Sequence, residues 1–231
     1  MPEESPYQPM MSPKRAQRLR RWHVEADRDL REGLPRRMLF LGLDIRIPLE
    51  VFAPSGSGRF HELVRDEVKP SDRVLDMGAG CGINALLAAL TSSEVVAVDI
   101  NPRAVEATAD NAVRNGLADR IQVVVSDVFD GVEGRFDVIA FNPPFRWFKA
   151  HDLFELSTAD EGYRALTSFM RQVKDRLRPG GRVILNFGTS GDIDYLYHLI
   201  EQSGLRTEVL ATEEVVAEDL VVTYYVFRLT A

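Results

Sequence analysis

Two short segments of the chain combine residue types, at close spacing, that are typical of ligand binding and catalysis. The first, Asp76-Met-Gly-Ala-Gly-Cys-Gly82, is an acid followed by glycines at three alternate positions, and the second is Asn142-Pro-Pro-Phe145. A side-chain amide oxygen beside a backbone carbonyl can accept the two N–H bonds of a planar nitrogen and aim its lone pair at an electrophile. Two prolines would fix that carbonyl, and an aromatic ring can stack on a flat substrate.

The glycine spacing narrows the class of ligand. Gly78-x-Gly80-x-Gly82 differs from the Gly-x-Gly-x-x-Gly of dinucleotide folds, and no Gly-Lys-Ser/Thr of a phosphate loop follows. Asp99 ends Val95-Val-Ala-Val-Asp99, where a carboxylate can accept both hydroxyls of a ribose. Two plainer interpretations stay open: a structural strand-to-helix turn at the glycines, and a helix-capping role for Asp99.

The elements that must position these residues alternate along the chain from residue 70 onward. Apolar and β-branched runs predict strands over residues 73–77, 94–100, 121–126, 137–141, 182–187, 207–212 and 220–229. Helices are predicted between them at 83–90, 102–115, 160–177 and 192–202, with a turn at 178–181. This order predicts an α/β fold with a doubly wound, mostly parallel, seven-stranded sheet. Both chemical segments follow strands, at the edge where such sheets bind ligands.

The first segment resembles a known cofactor site. Val74-Leu-Asp-Met-Gly-Ala-Gly-Cys-Gly82 is similar to motif I of class I S-adenosylmethionine-dependent methyltransferases, and Val98-Asp-Ile-Asn-Pro102 to their motif II. Ser126-Asp-Val128 resembles the segment that flanks the adenine. The resemblance implies a Rossmann-like fold with an antiparallel last strand, S-adenosyl-L-methionine as cofactor and S-adenosyl-L-homocysteine as product, without a metal. The implied cofactor-binding residues are Asp76, Gly78, Ala79, Gly80, Gly82, Asp99, Ile100, Asp127, Val128 and Asn142.

The second segment resembles the signature of the amino-methylating branch of that family, which modifies adenine N6, guanine N2 or the glutamine amide N5. The resemblance implies an N-methyltransferase whose catalytic residues are Asn142, Pro143, Pro144 and Phe145. The acceptor could be a nucleobase, a protein glutamine or a small metabolite. Another use of the same cofactor, such as aminocarboxypropyl transfer or cyclisation, stays open, as does a non-catalytic binding subunit.

Two further stretches resemble this branch only in part. Val51-Phe-Ala-Pro54 is similar to the segment before motif I in ribosomal-RNA guanine and release-factor glutamine methyltransferases, but Ser57-Gly-Arg59 departs from the acid and Thr or Ser often found there. Asp160-Glu-Gly-Tyr163 resembles an acid–Gly segment of the glutamine enzymes. We expect Phe52, Phe145 and Trp147 to contact the substrate.

The N-terminal part of the chain differs in charge from the rest. The whole chain has a net charge of −7, yet residues 14–37 hold nine Lys or Arg against four acids. This basic segment could contact RNA, or it could be the solvated face of an amphipathic helix. We therefore expect a disordered tail over 1–12, an N-terminal helical and lid extension over 13–69, and a catalytic domain over 70–231.

Composition adds few constraints. Cys81 is the single cysteine, so no intrachain disulfide can form, and we interpret it as a small filler in the glycine loop. The four histidines have no zinc-ligand spacing. There is no apolar run long enough to span a membrane and no signal-peptide pattern, so we expect a cytoplasmic protein. The sequence leaves the oligomeric state open.

Overall fold

The elements follow the predicted alternation. The computed structural model describes residues 7–32, 34, 36–52, 58–217 and 220–231. The helices are α1 (Pro13–Glu32), α2 (Arg59–Glu67), α3 (Ile83–Ala89), α4 (Pro102–Arg114), α5 (Arg164–Gln172) and α6 (Ile193–Ser203). The strands are β1 (Arg36–Phe40), β2 (Leu43–Ile47), β3 (Arg73–Met77), β4 (Glu94–Asp99), β5 (Ile121–Val125), β6 (Phe136–Phe141), β7 (Leu177–Gly188), β8 (Arg206–Ala217) and β9 (Leu220–Thr230).

The main sheet has seven strands in the order β5-β4-β3-β6-β7-β9-β8. The first five of these strands are parallel, and β9 pairs antiparallel with both β7 and β8, as predicted. Strand order reverses between β3 and β6, where Met77 lies opposite Phe141. The glycine loop after β3 and the Asn142 segment after β6 therefore leave neighbouring strands at the same level, in the crevice where open α/β sheets bind ligands.

Helices cover both faces of the sheet. On one face, α2, α3 and α4 form a core around Phe60, Val64 and Leu86. All seven residues of α3 are buried, as expected for a charge-free helix enclosed between the sheet and other helices. On the other face, the core includes Leu19 of α1, Phe169 of α5 and side chains of α6.

Two sequence-based boundaries are wrong. The helix predicted over 160–177 is α5, flanked by 3₁₀ turns at Glu161–Tyr163 and Val173–Arg176. Gly162 and Tyr163 have φ of 62° and 54°, which breaks the right-handed helix before α5 begins. The turn predicted at 178–181 is part of β7, whose register with β6 shifts between Phe136 and Val138. Across this shift β7 advances from Leu177 to Arg182 while β6 advances by two residues, so residues 178–181 stand outside the pairing with β6, and Gly180 has φ of 77°.

The N-terminal segment packs against the sheet domain in two pieces. Helix α1 lies on the face of α5 and α6, and β1 and β2 form an antiparallel hairpin on α4. Asn111 of α4 and Asn115, which caps that helix, each bond a backbone N–H and a carbonyl of β2. Residues 1–6 of the expected tail, Gly33 and Pro35 lie outside the described residues, as do residues 53–57 of the stretch before motif I. Residues 7–12 of the expected tail are described, and Tyr7 and Met10 both donate hydrogen bonds to Asp192. The division at 69 stays our proposal. Among the helices described, none is both long and apolar enough to cross a membrane.

Candidate active site

The glycine loop is shaped by three left-handed residues. Gly78, Gly80 and Gly82 have φ of 66°, 58° and 87°. A Cβ on Gly82 would lie 2.8 Å from Cγ2 of Thr108, so this glycine allows the loop to pack on α4. At Gly78 and Gly80 a Cβ would meet nothing closer than 3.6 Å, so their backbone conformation, not crowding by the protein, is what requires glycine. These two glycines leave space for a ligand.

Asp76, near the end of β3, binds the residues that follow the glycine loop. Its Oδ2 accepts the Ala85 N–H at 2.9 Å, and its Oδ1 accepts the Asn84 amide at 3.3 Å. Burial raises the pKa of this carboxyl to about 7. Asn84 continues the network, because its Oδ1 lies 2.7 Å from Nδ1 of His61, whose pKa is lowered by burial. A neutral His61 donates from Nδ1 here. Asp76 thus fixes the start of α3.

Asp99 joins the end of β4 to the glycine loop. Its Oδ2 accepts the Gly80 N–H and its Oδ1 accepts the Asn101 N–H, both at 2.9 Å. Burial raises the pKa of this carboxyl. Asp127, by contrast, is partly exposed and pairs with Arg164, with Nη1 3.0 Å from Oδ2. The following Val128 has a left-handed φ of 49°, which is unusual for a β-branched residue.

These groups surround a cavity of about 400 Å³. The predicted site residues on its wall are Phe52, Gly78, Ala79, Gly80, Asp99, Ile100, Asp127, Val128, Asn142 and Pro144. Five other predicted residues are not on the wall: Asp76, Gly82, Pro143, Phe145 and Trp147. Cys81 does line it, and burial raises the pKa of its thiol to about 12.

Sequence reasoning missed several polar residues of this wall: His61, Asn84, Lys149, Glu161 and Arg164. Arg164 could have been found, because it directly follows the Asp160–Tyr163 stretch that the sequence analysis singled out. Glu161 lies inside that stretch, while His61, Asn84 and Lys149 stand where the sequence shows no distinguishing pattern. Their presence gives the mouth of the cavity both signs of charge.

The Asn142 segment is packed tightly after it leaves β6. Oδ1 of Asn142 accepts a hydrogen bond from Nδ2 of Asn186, on β7, at 2.8 Å. The Phe145 ring packs on Phe187, with centroids 5.0 Å apart, and the Phe145 carbonyl accepts the Tyr163 hydroxyl at 2.7 Å. A Cβ on Gly191 would lie 2.7 Å from that carbonyl oxygen. The backbone of this segment is therefore held on several sides.

Helix α1 holds the next residue, Arg146, which is 5% exposed. Its Nη1 lies 3.0 Å from Oδ1 of Asp27, and its Nε donates to Nδ1 of His23 at 3.1 Å. His23 Nε2 therefore carries the ring proton and donates to the Ser190 carbonyl at 2.8 Å. Burial lowers the pKa of His23 to about 3, so the ring is neutral.

A second connection starts before α1. The Tyr7 hydroxyl donates to Oδ2 of Asp192 at 2.5 Å, and the backbone N–H of Asp192 donates to the Tyr163 hydroxyl at 2.8 Å. Tyr163 in turn holds the Phe145 carbonyl. We call Tyr7, His23 and Asp27 the N-terminal clamp, because all three act on the Asn142 segment through these contacts. The indole nitrogen of Trp147, buried beside α1, has no hydrogen-bond partner in the part of the chain described.

The chain matches the model of the methyltransferase small domain over residues 55–211. It belongs to the methyltransferase small domain family. The chain is thus an S-adenosylmethionine-dependent methyltransferase, as its motifs predicted, and the doubly wound fold is confirmed.

Several named methyltransferases are similar to this chain. A provisionally named protein N5-glutamine methyltransferase of Methanocaldococcus jannaschii is 30% identical, over 78% of this chain and 94% of its own length. A release factor glutamine methyltransferase of Cereibacter sphaeroides is 34% identical over 62% of this chain, which spans 56% of that protein. A ribosomal RNA small subunit methyltransferase C of Haemophilus influenzae is 34% identical over 51% of this chain and 33% of its own length.

A solved structure shares the fold of this methyltransferase. The M. jannaschii tRNA m1G37 methyltransferase superposes with a TM-score of 0.63 at 22% identity, and the alignment covers 84% of this chain and 56% of that one. At this level of identity the likeness shows the architecture alone. The small-domain methyltransferase described here therefore has the sheet, the switch point and the strand-end crevice of its class.

Proposed function

We propose that this methyltransferase transfers a methyl group to an amide or amino nitrogen that Asn142 holds in the cavity, together with the backbone carbonyl of Pro143, which adjoins Asn142 although Pro143 itself is not part of the cavity wall. One observation carries the proposal: Asn142 leaves β6 directly beside the glycine loop of β3, and its side chain reaches the same cavity wall. Any ligand held by the glycine loop then lies within reach of a group bound to Asn142.

The residues present fit S-adenosylmethionine. Gly78, Ala79 and Gly80 offer a wall without side-chain bulk for the methionine part, and Asp99 offers a half-buried carboxylate for the ribose. Asp127 and Val128, with Ile100, would hold the adenine end. Asp76 and Gly82 would keep the loop in shape from behind. When bound, the cofactor supplies a methyl group on a sulfonium centre, and S-adenosylhomocysteine would remain as product.

The chain's own residues would bind and orient the acceptor. The Asn142 oxygen and the Pro143 carbonyl accept the two N–H bonds, which frees the nitrogen lone pair from conjugation and points it along the line of displacement. Positioning of this kind can supply much of the rate, since effective molarities reach roughly 10⁵–10⁸ M in well-oriented systems. The surplus proton of the methylated nitrogen then passes to an accepting oxygen or to solvent.

Phe52 and Pro144 would form the wall near the acceptor. The rings of Phe145 and Trp147 instead pack behind the loop, on Phe187 and α1. We propose that these two aromatic residues hold the Asn142 segment and that their effect on the acceptor is indirect.

Among acceptors, a glutamine amide is favoured. The M. jannaschii relative, which aligns over 78% of this chain and 94% of its own length, carries that activity in its name. In addition, the basic charge of α1 is partly used within the protein. Arg15 donates to the Thr189 carbonyl, Arg20 lies over Trp147, and Arg31 pairs with Asp27 and Asp152. This inward use leaves less of the basic segment for RNA. An RNA base contacted through residues 14–37 is the second candidate.

The test uses two labels on the cofactor. Purified protein is incubated with S-adenosylmethionine carrying ³H in the methyl group and ¹⁴C in the carboxyl group, in an extract of source cells that lack the gene. We expect ³H without ¹⁴C in protein, released as N5-methylglutamine after proteolysis. Transfer of ³H alone to RNA would support the second candidate. Transfer of ¹⁴C would indicate aminocarboxypropyl chemistry, and transfer of neither label would contradict a catalytic role.

A further inference from the structure

The amide of Asn142 is held by a residue outside the cavity. Strands β6 and β7 are parallel neighbours with Phe141 opposite Leu185, so residues 142 and 186 follow at the same level. Nδ2 of Asn186 donates to Oδ1 of Asn142 at 2.8 Å. Asn142 reaches the cavity wall, whereas Asn186 is not part of that wall.

This hydrogen bond addresses a problem of orientation. A side-chain amide has an accepting oxygen and a donating NH₂ at nearly the same place, and rotation by 180° exchanges them. Only the oxygen can accept the N–H of a methyl acceptor. With the NH₂ in its place, two donors would face each other. A donor fixed on one side of the oxygen excludes the rotated form and leaves the second lone pair of the oxygen free.

We propose that Asn186 is a positioning residue that keeps the Asn142 oxygen, and not its NH₂, directed at the acceptor nitrogen. The proposal rests on the proposed function, because it assigns a role toward the same acceptor. Asn186 acts through Asn142 and does not touch the reacting atoms. Its effect falls on the rate of transfer and not on the binding of the cofactor.

Two substitutions of nearly equal size separate this role from simple packing. In Asn186→Leu the donor is lost, so the Asn142 amide is free to rotate. In Asn186→Asp the ionised carboxylate only accepts, so it favours the rotated Asn142 amide with its NH₂ toward residue 186. A protonated carboxyl can donate again. The Asp variant therefore recovers activity as the pH falls through the pKa of its carboxyl, and the Leu variant does not.

The measurements are initial rates of ³H-methyl transfer to the acceptor fraction between pH 5 and 8, relative to wild type at each pH, and S-adenosylhomocysteine affinity by calorimetry. At pH 8 we expect Asn186→Leu to lose about tenfold in rate, from one hydrogen bond. Asn186→Asp should lose about 100-fold, as when a donor aimed at the reacting group is removed. Both should keep cofactor affinity within about twofold. Equal losses at every pH, or unchanged rates, would overturn the proposal.

A second readout does not depend on methyl transfer. In ¹⁵N-labelled wild-type protein with S-adenosylhomocysteine, the Asn186 side-chain amide should show one proton shifted downfield by its hydrogen bond. In Asn142→Leu this proton should move upfield. An Asn186 amide that is insensitive to Asn142→Leu would overturn the proposal. If no acceptor is labelled, the proposed function fails while this spectrum still decides whether the amide pair exists.

Discussion

The two halves of the cavity are built from different parts of the chain. The glycine-loop half is held by contacts between residues close in sequence: Asp76 bonds Ala85, 9 residues away, and Asp99 bonds Gly80, 19 residues away. The acceptor half depends on distant segments. Arg146 bonds His23 and Asp27, which lie 123 and 119 residues away. The glycine loop and Asp99 are joined within the β3–α3–β4 unit, with support from Thr108 and Asn111 of α4. Asp127 and Val128 follow β5, whereas the acceptor half requires the N-terminal clamp.

Because the two halves are held by different contacts, cofactor binding and acceptor positioning can be disturbed separately. Changes in the β3–α3–β4 unit should alter cofactor affinity without involving α1. Changes in the clamp should alter the rate of methyl transfer and the stability of the fold while the cofactor site stays intact. The predictions below test that separation.

The largest effect on cofactor affinity is expected in the glycine loop. Gly80 and Gly116 both have left-handed φ, of 58° and 68°, and neither has a neighbouring atom that a Cβ would clash with. Alanine at either position should therefore cost about 1–2 kcal/mol of unfolding free energy. Only Gly80→Ala should also weaken S-adenosylhomocysteine binding, by about 100-fold, because its methyl group enters the ligand's space. Calorimetry and urea unfolding measure both quantities. Equal affinities in the two variants would remove the loop from the cofactor site.

In the acceptor half, Arg146→Met breaks the buried contacts with His23 and Asp27. Removing one partner of a buried ion pair should cost about 3 kcal/mol of unfolding free energy. We expect the rate of methyl transfer to fall about tenfold, because a hydrogen-bonded contact that positions the loop is lost. The affinity for S-adenosylhomocysteine should stay unchanged. Arg28→Met is the control, because the ion pairs that Arg28 makes within the described residues are exposed pairs inside α1, which contribute about 0–1 kcal/mol. A cofactor affinity that falls as far as the rate would contradict the separation.

The smallest effect is in the pH dependence of stability, which has opposite signs in the two halves. The pKa of Asp76 is raised to about 7, so its stabilising effect is present at low pH and is lost as the pH rises toward 7. The pKa of His23 is lowered to about 3, so the folded state excludes a proton that the unfolded chain binds below about pH 6.5. Stability due to His23 is therefore lost as the pH falls.

Urea unfolding of Asp76→Asn and His23→Gln between pH 4.5 and 8 tests these signs. Relative to wild type, the unfolding free energy of Asp76→Asn should increase as the pH rises through 5–7. The unfolding free energy of His23→Gln should increase, relative to wild type, as the pH falls below about 6.5. Each slope should reach at most about 1.4 kcal/mol per pH unit. Slopes of the same sign in both variants would contradict the assigned environments.

The same division explains what the sequence could predict. Local patterns predicted the sheet and one wall of the cavity. The alternation of apolar runs predicted the sheet, and the glycine spacing with the acid at the end of the second parallel strand predicted the wall formed by Gly78 to Gly80 and Asp99. Asn142 was found because its tetrapeptide is contiguous. Nothing local marks His23, Asp27 or Asn186 as partners of that loop, because their contacts arise only when distant segments pack. The packing of Trp147 beside α1 could not be predicted for the same reason.

The central claim is that Asn142 orients the acceptor while the glycine loop holds the cofactor, and Asn142→Ala tests it most directly. We measure ³H-methyl transfer to the acceptor fraction and S-adenosylhomocysteine affinity in the same preparation. The account predicts a loss of about 10²–10³ in the rate, as for removal of one group aimed at the reacting centre, with affinity within about twofold of wild type. Retained affinity also shows that the variant is folded. A rate within a few-fold of wild type, or a loss of cofactor binding that accounts for the loss of rate, would contradict it.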